Sequence, residues 1–288
     1  MLNDFADNVY VLNLEEESFK YEILKRKLDK KGIEHERFIA TPATKYWRMP
    51  NNLTKLELID DLRKIALDYS KYDSFCDEII FNGFKNINQN LGCRRSFGAM
   101  GCAISHKRIL QDAIDKGYEN IILLQDDIYF HKEFEKLLKE SQDKIKLSDI
   151  FYFGASEWSA AKKKNCWSDP NWNYYIDFSY KPTRGTYGFF AVRLSKRAFK
   201  EILKLLNYNF FAADQCLSLV ALKLFEESSW VAYPNLIIPD TTYSRTHTRT
   251  SPDKPDQEKA LHRDFAEFSK SMGWNLKYYD LTEPYYKF

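Results

Sequence analysis

Residues 8–39 change hydrophobic period twice, and that constrains the fold more than any other feature of the chain. The run NVYVLNL (8–14) is short and continuously apolar at its centre, as a strand covered on both faces is. Residues 18–31 then place Phe19, Ile23, Leu24 and Leu28 at helical spacing, and Gly32 stands where a helix C-terminus is capped. Residues 33–39 return to strand character. A strand, a helix and a strand in so short a span form a β-α-β unit, which brings a parallel strand pair with it. The alternation continues. A helix is expected over 99–116, ended by Gly117, with strands at 120–124 and 149–153 (DIFYF) and a third at 186–192 (TYGFFAV). Ser195 is an N-cap for a helix to 206, Asp214 opens another to about 225, and a strand at 230–233 stops at Pro234. The expected class is α/β with a mostly parallel sheet. Residues 54–69 also have helical spacing, and FNGFKNINQN (81–90) reads as loop. No long Pro/Gly/Ser linker and no repeat interrupts the 288 residues, so one domain is expected.

Composition narrows the classes. Lys and Arg total 43 against 41 Asp and Glu, a formal charge of +2, which gives no argument for nucleic acid or an anionic membrane. Aromatic residues reach 16%. Most serve as core, but Tyr and Trp also offer flat faces that suit stacking on sugars or bases. The five cysteines, Cys76, Cys93, Cys102, Cys166 and Cys216, match no CxxC metal pattern, and reduced thiols are expected. No run reaches the ~18 apolar residues of a membrane span, and residues 1–14 lack the pattern of a signal peptide. The expected location is cytoplasmic, or a soluble compartment of a virus or its host cell. The oligomeric state is not legible.

Residues 121–130 read IILLQDDIYF. Two adjacent carboxylates at the end of a buried run repel each other and are costly to desolvate. A cation, a helix N-terminus or water must compensate them. In α/β sheets ligands bind at the carboxyl ends of strands, which is where Asp126 and Asp127 fall. Successive strand residues face opposite ways, so both can serve one ligand only if the strand has already turned. One carboxylate can then hold a hard cation such as Mg²⁺ or Mn²⁺, completed by substrate phosphates. The alternative is a solvated turn.

Residues 96–127 resemble the central signature of glycosyltransferase family 25, the lipooligosaccharide- and procollagen-type sugar transferases. The family's Gly-Cys-x-x-Ser-His, helix, aliphatic run and Glu-Asp-Asp stand here as Gly101-Cys102-Ala103-Ile104-Ser105-His106 and Gln125-Asp126-Asp127. VYVLNL with GIEHERFIATPA, GTYGFFAVRLSKRAFKEIL (185–203) and ADQCL (213–217) are similar to further family segments in the same order. The resemblance implies a GT-A-like fold, with a Rossmann-like nucleotide-sugar half over about 1–130, an acceptor half over about 131–250 and a C-terminal extension. It implies a UDP-sugar donor, Mn²⁺ or Mg²⁺, a glycan or glycoprotein acceptor, and Asp214 as the base. Donor contacts are implied at Asn13, Ser105, His106, Gln125 and Asp126, with Asp127 on the metal. Two positions depart from the family. Its Glu is Gln125, which can bond a ribose hydroxyl but carries no charge. Its first-helix Arg is missing from Glu15-Glu16-Glu17-Ser18-Phe19-Lys20, where Lys20 offers a point charge instead.

Sugar transfer needs the leaving diphosphate neutralised and the acceptor hydroxyl deprotonated. On an extended segment Arg245, His247 and Arg249 share a face. Such a face suits a diphosphate, with His247 as a further metal ligand, or it is an exposed basic loop. Asp214 is the first candidate base, although a plain N-cap also explains an Asp there and a helix N-terminus makes a carboxylate less basic. Glu157, beside Trp158 at another strand end, is the second. His106 also reads as a packed helical residue. The expected activity is inverting, metal-dependent sugar transfer. A silent carbohydrate-binding or scaffold protein of the same fold and a nucleotidyltransferase are the alternatives.

Overall fold

The computed structural model describes residues 1–41, 97–157, 179–183, 186–207, 212–251, 254–262 and 264–286. The expected helix at 54–69, the loop at 81–90, Trp158, Cys76, Cys93 and Cys166 lie outside the described residues. In chain order the elements are β1 (Asn8–Asn13), α1 (Ser18–Lys30), β2 (Glu36–Ile39), α2 (Phe97–Asp115), β3 (Asn120–Gln125), β4 (Ile128–Phe130), α3 (Phe134–Glu140), α4 (Gln142–Leu147), β5 (Ile150–Tyr152) and β6 (Ser156–Glu157). They continue with β7 (Ser179–Tyr180), β8 (Thr186–Tyr187), β9 (Ala191–Ser195), α5 (Lys196–Asn207), α6 (Ala213–Lys223), β10 (Ser229–Ala232), β11 (Ile237–Pro239), β12 (Tyr243–Ser251), β13 (Lys254–His262) and α7 (Phe265–Met272).

Seven strands form one sheet in the order β2-β1-β3-β9-β5-β10-β7. β1, β2, β3, β5 and β10 run one way, and β9 and β7 run against them. This is a mixed, mostly parallel α/β sheet of the expected class. β1 is an inner strand whose two faces are both covered by helices, which is why VYVL is apolar without alternation. Its period of two still sorts the core. Val9 and Val11, with Ile122 and Leu124 of β3, pack against Leu24 and Leu28 of α1 on one face. Tyr10, Leu12, Ile121 and Leu123 join Ile109 of α2, Phe199 of α5 and Leu217 of α6 on the other. Gly32 and Gly117 take φ of 64° and 74° where α1 and α2 end, a conformation glycine adopts without strain.

Three sequence expectations shift. Strand β2 begins at Glu36 and not at residue 33. The apolar stripe assigned to α1 is rotated: Phe19 is exposed, and the buried positions are Lys20, Leu24, Lys27 and Leu28. The strand expected at 186–192 is two strands. β8 pairs with β6, while β9 enters the main sheet antiparallel to β3 and β5. The break lies at Gly188, where a Cβ would sit 2.5 Å from the Gly154 carbonyl oxygen, so the chain crosses the end of β5 at a distance only glycine allows.

Among the described residues Cys102 and Cys216 are reduced thiols, and no helix is long and apolar enough to cross a membrane.

Candidate active site

The parallel strands β1, β2, β3, β5 and β10 end on one edge of the sheet, and β9 begins there. Continuing the alternation of Val9 and Val11 puts Asn13 on the α1 face, and continuing that of Ile122 and Leu124 puts Asp126 there. The two meet. The Asn13 amide nitrogen donates to Asp126 Oδ2 at 2.5 Å and to the Glu17 carbonyl at 3.0 Å. Its amide oxygen accepts from Arg37 Nε at 3.0 Å and Nη2 at 2.5 Å. A guanidinium only donates and a carboxylate only accepts, so these partners fix which way the amide points.

β3 stops at Gln125 and β4 resumes at Ile128, where it pairs with β11 outside the main sheet. Asp126 and Asp127 therefore occupy the turn between them. Lys20, from the first turn of α1, supplies the nearby cation. It is buried and pairs with Glu17 Oε2 at 2.6 Å. Burial alone would depress its ammonium, but Asp127, Asp126 and Glu17 together outweigh this and hold its pKa above the usual lysine range. Burial raises the Asp126 carboxyl, against the pull of Lys20 and the Asn13 hydrogen bond.

Asp127 is less well served. The residue keeps some exposed surface, yet its Oδ1 is sealed from solvent and receives no hydrogen bond among the described residues. Burial pushes its carboxyl up to about 8; Lys20 opposes this, and Asp126 and Asp240 add repulsion. Asp240 lies close because its amide donates to the Asp127 carbonyl at 2.5 Å. The Asp240 carboxylate accepts from the Tyr129 hydroxyl at 2.8 Å and the Thr242 amide at 2.9 Å.

Among the described residues no three His, Cys, Asp or Glu side chains converge as a ready-made metal cage. A sealed carboxylate oxygen without a donor still fits a hard cation. Mg²⁺ and its relatives often take only one or two carboxylates and fill the remaining positions with water and phosphate oxygen. Arg245 and His247 fall on β12, but their side chains lie outside the described ones.

A second group stands at the start of β9. The N-cap of α6 is Ala212, not Asp214, so the plain N-cap reading of Asp214 does not hold. Asp214 Oδ1 accepts from the Phe189 amide at 2.8 Å. The next residue, Phe190, accepts at its carbonyl from the Gln125 amide at 2.8 Å. Two consecutive residues thus tie Asp214 to the end of β3. Burial raises the Tyr187 phenol, with Asp214 and Glu157 adding to the effect. Glu157 is buried and accepts from the Thr183 hydroxyl at 2.9 Å and the Thr186 hydroxyl at 2.6 Å.

Ser105 and His106 sit behind this edge. The Ser105 hydroxyl donates to the Gly101 carbonyl at 2.6 Å and accepts from the Thr41 amide at 2.8 Å. His106 is buried, with Nδ1 2.8 Å from the Cys102 carbonyl and its ring 4.1 Å from that of Phe189. Burial depresses its pKa, against the Cys102 carbonyl and Asp214. Asn13, Lys20, Asp126 and Asp127 are brought together as one group, and Asp214, Glu157 and Gln125 flank it. Sequence reasoning passed over Glu17, Arg37 and Asp240. Arg37 had a signal, since its partner Asn13 lies on the adjacent strand of the β-α-β unit.

The model of glycosyltransferase family 25, described as an LPS biosynthesis protein family, matches residues 6–217. No curated protein matches the chain.

Proposed function

The chain belongs to glycosyltransferase family 25 and transfers a sugar, and on that footing we propose that its donor is a UDP-sugar bound with Mn²⁺ or Mg²⁺ at the acidic edge. The acceptor is a hydroxyl of a glycan or glycoprotein, and transfer inverts the anomeric centre. The observation that carries the reading is the sealed Oδ1 of Asp127, which among the described residues has no donor although it stands near Lys20. Asp127 would hold the cation, with Asp126 beside it. When bound, the cation would offset the charge of the leaving diphosphate.

Lys20 adds a second positive charge on the same side. Asn13, locked between Arg37 and Asp126, keeps the Asp126 carboxylate from turning. In the transfer the acceptor oxygen bonds to the anomeric carbon as the bond to the diphosphate oxygen breaks, and that oxygen keeps the electron pair. Asp214 takes the acceptor proton. Asp214 suits this role better than Glu157. It keeps part of its surface exposed at the strand ends, whereas both Glu157 oxygens accept threonine hydroxyls in a buried setting. Gln125 bonds a ribose hydroxyl in place of the family's carboxylate.

Calorimetric titration of UDP with and without Mn²⁺ tests the reading. The parent is expected to bind UDP more tightly with the ion, and Asp127→Ala to lose that dependence while staying folded, since one of two repelling carboxylates is removed. Equal metal dependence in both proteins would remove Asp127 from the metal. Release of free UDP from a panel of UDP-sugars identifies the donor.

A further inference from the structure

Residues 274–286 lie beyond the family match and return to the acidic edge. The Trp274 indole nitrogen donates to the Ala155 carbonyl at 3.3 Å, and the Tyr279 hydroxyl to the Asn235 carbonyl at 2.8 Å. The Asp280 amide donates to the Phe130 carbonyl at 3.0 Å. Glu283 reaches α1 through Arg26 at 2.9 Å and Lys30 at 3.1 Å. The Tyr285 hydroxyl donates to the Ile128 carbonyl at 2.6 Å, directly after the acidic pair. This strap is therefore held along its length, and its end has a defined place.

That place is above Lys20. The Tyr286 ring centroid lies 5.0 Å from Lys20 Nζ and 5.5 Å from the ring of Tyr243. Its hydroxyl is sealed from solvent and, among the described residues, donates to no acceptor, since the Lys20 ammonium beside it is itself only a donor. Two sealed polar atoms thus share one neighbourhood: among the described residues, a carboxylate oxygen on Asp127 lacks a donor and a phenol on Tyr286 lacks an acceptor. Native proteins rarely leave such groups unpaired unless something else supplies the partner. A cation with a phosphate behind it satisfies both, because the carboxylate meets the cation and the phenol donates to a phosphate oxygen.

We propose that Tyr286 is a donor-binding residue, its hydroxyl donating to a diphosphate oxygen of the nucleoside diphosphate beside the Lys20 ammonium. The C-terminal strap is then part of the donor site and not only a cover for α1. The proposal rests on the nucleotide-sugar reading above. Phenol deprotonation does not complicate it, since burial raises the Tyr286 pKa, against the pull of Lys20.

Tyr286→Phe removes the hydroxyl and keeps the ring over Lys20. Calorimetry with Mn²⁺ present should show UDP bound about 5- to 20-fold more weakly than by the parent, the range of one charge-assisted hydrogen bond. Uridine, which has no phosphate, should bind both proteins alike, and the thermal midpoint should stay within about 2 °C, as expected when no buried contact is lost. Equal UDP affinity in the two proteins would overturn the assignment of Tyr286 alone. Equal losses for UDP and uridine would overturn the phosphate contact and leave a packing role. A parent that binds no UDP at all would overturn both this proposal and the donor reading.

Discussion

Lys20 and Lys27 both lie on the buried side of α1, and their surroundings treat the two charges in opposite ways. Lys20 has carboxylates around it and stays charged. Lys27 has its Nζ 4.4 Å from the centre of the Tyr129 ring and 4.1 Å from that of Tyr285, without a hydrogen-bond partner among the described residues. Burial lowers its pKa to about 8, and Asp280, Glu283 and Asp240 recover only part of the loss while Arg26 adds repulsion. An unfolded lysine titrates near 10.4. Between pH ~8 and ~10.4 the unfolded chain binds more protons, so this group makes stability rise with pH in that window and holds its full penalty below it. Lys27→Met should therefore stabilise the protein by about 1–3 kcal/mol at pH 7, and the gain should shrink toward pH ~10. Urea titrations at the two pH values measure this. A mutant less stable than the parent at pH 7 would show that the two rings more than offset the burial of the charge.

At the level of elements, the passage from β8 to β9 depends on backbone contact at two glycines. A Cβ on Gly154 would stand 1.8 Å from the Ile237 carbonyl oxygen, and a backbone atom cannot swing away as a side-chain end does. Gly154→Ala is expected to cost about 2–4 kcal/mol, the upper range for overpacking. A thermal melt within a degree or two of the parent would mean that β5 and β11 separate easily. The same crossing gives Phe189 and Phe190 their positions, and through them Asp214 and Gln125. A strain imposed at Gly154 should consequently reach catalysis as well as stability.

Across the whole molecule the edge of the sheet carries two chemistries, joined by that two-residue link. On the reading proposed above, donor affinity belongs to Asn13, Lys20, Asp126 and Asp127, and proton removal to Asp214. Asp214→Asn keeps an acceptor for the Phe189 amide but loses the base. It should slow transfer by about 10²–10⁴-fold, the usual weight of general base catalysis, while UDP affinity changes less than about 2-fold on the proposed division of labour. Asp127→Ala should do the reverse in binding. Rates of UDP release in the presence of acceptor, set beside calorimetric affinities, test the division. Loss of both properties in Asp214→Asn would place Asp214 in the donor site.

The alternation of strand and helix, the ends of β1 and β3, and the turn at Asp126-Asp127 were all legible in the sequence. Each rests on a period of two or of helical spacing, or on a residue whose local chemistry ends an element, and such signals need only near neighbours along the chain. The resemblance of 96–127 and three further segments also identified the family. What tertiary structure alone decided is which side of α1 is buried. Phe19 and Ile23 made an acceptable apolar stripe, yet Lys20 and Lys27 occupy the inside. Their partners are Asp126 and Asp127 at one end, and Tyr129 with Tyr285 at the other, all more than a hundred residues away. The Asn13–Asp126 bond and the return of Tyr286 are of the same kind. A favourable energy between groups so distant leaves no periodic trace in either segment, and it appears only when the folded sheet brings the strand ends to one edge.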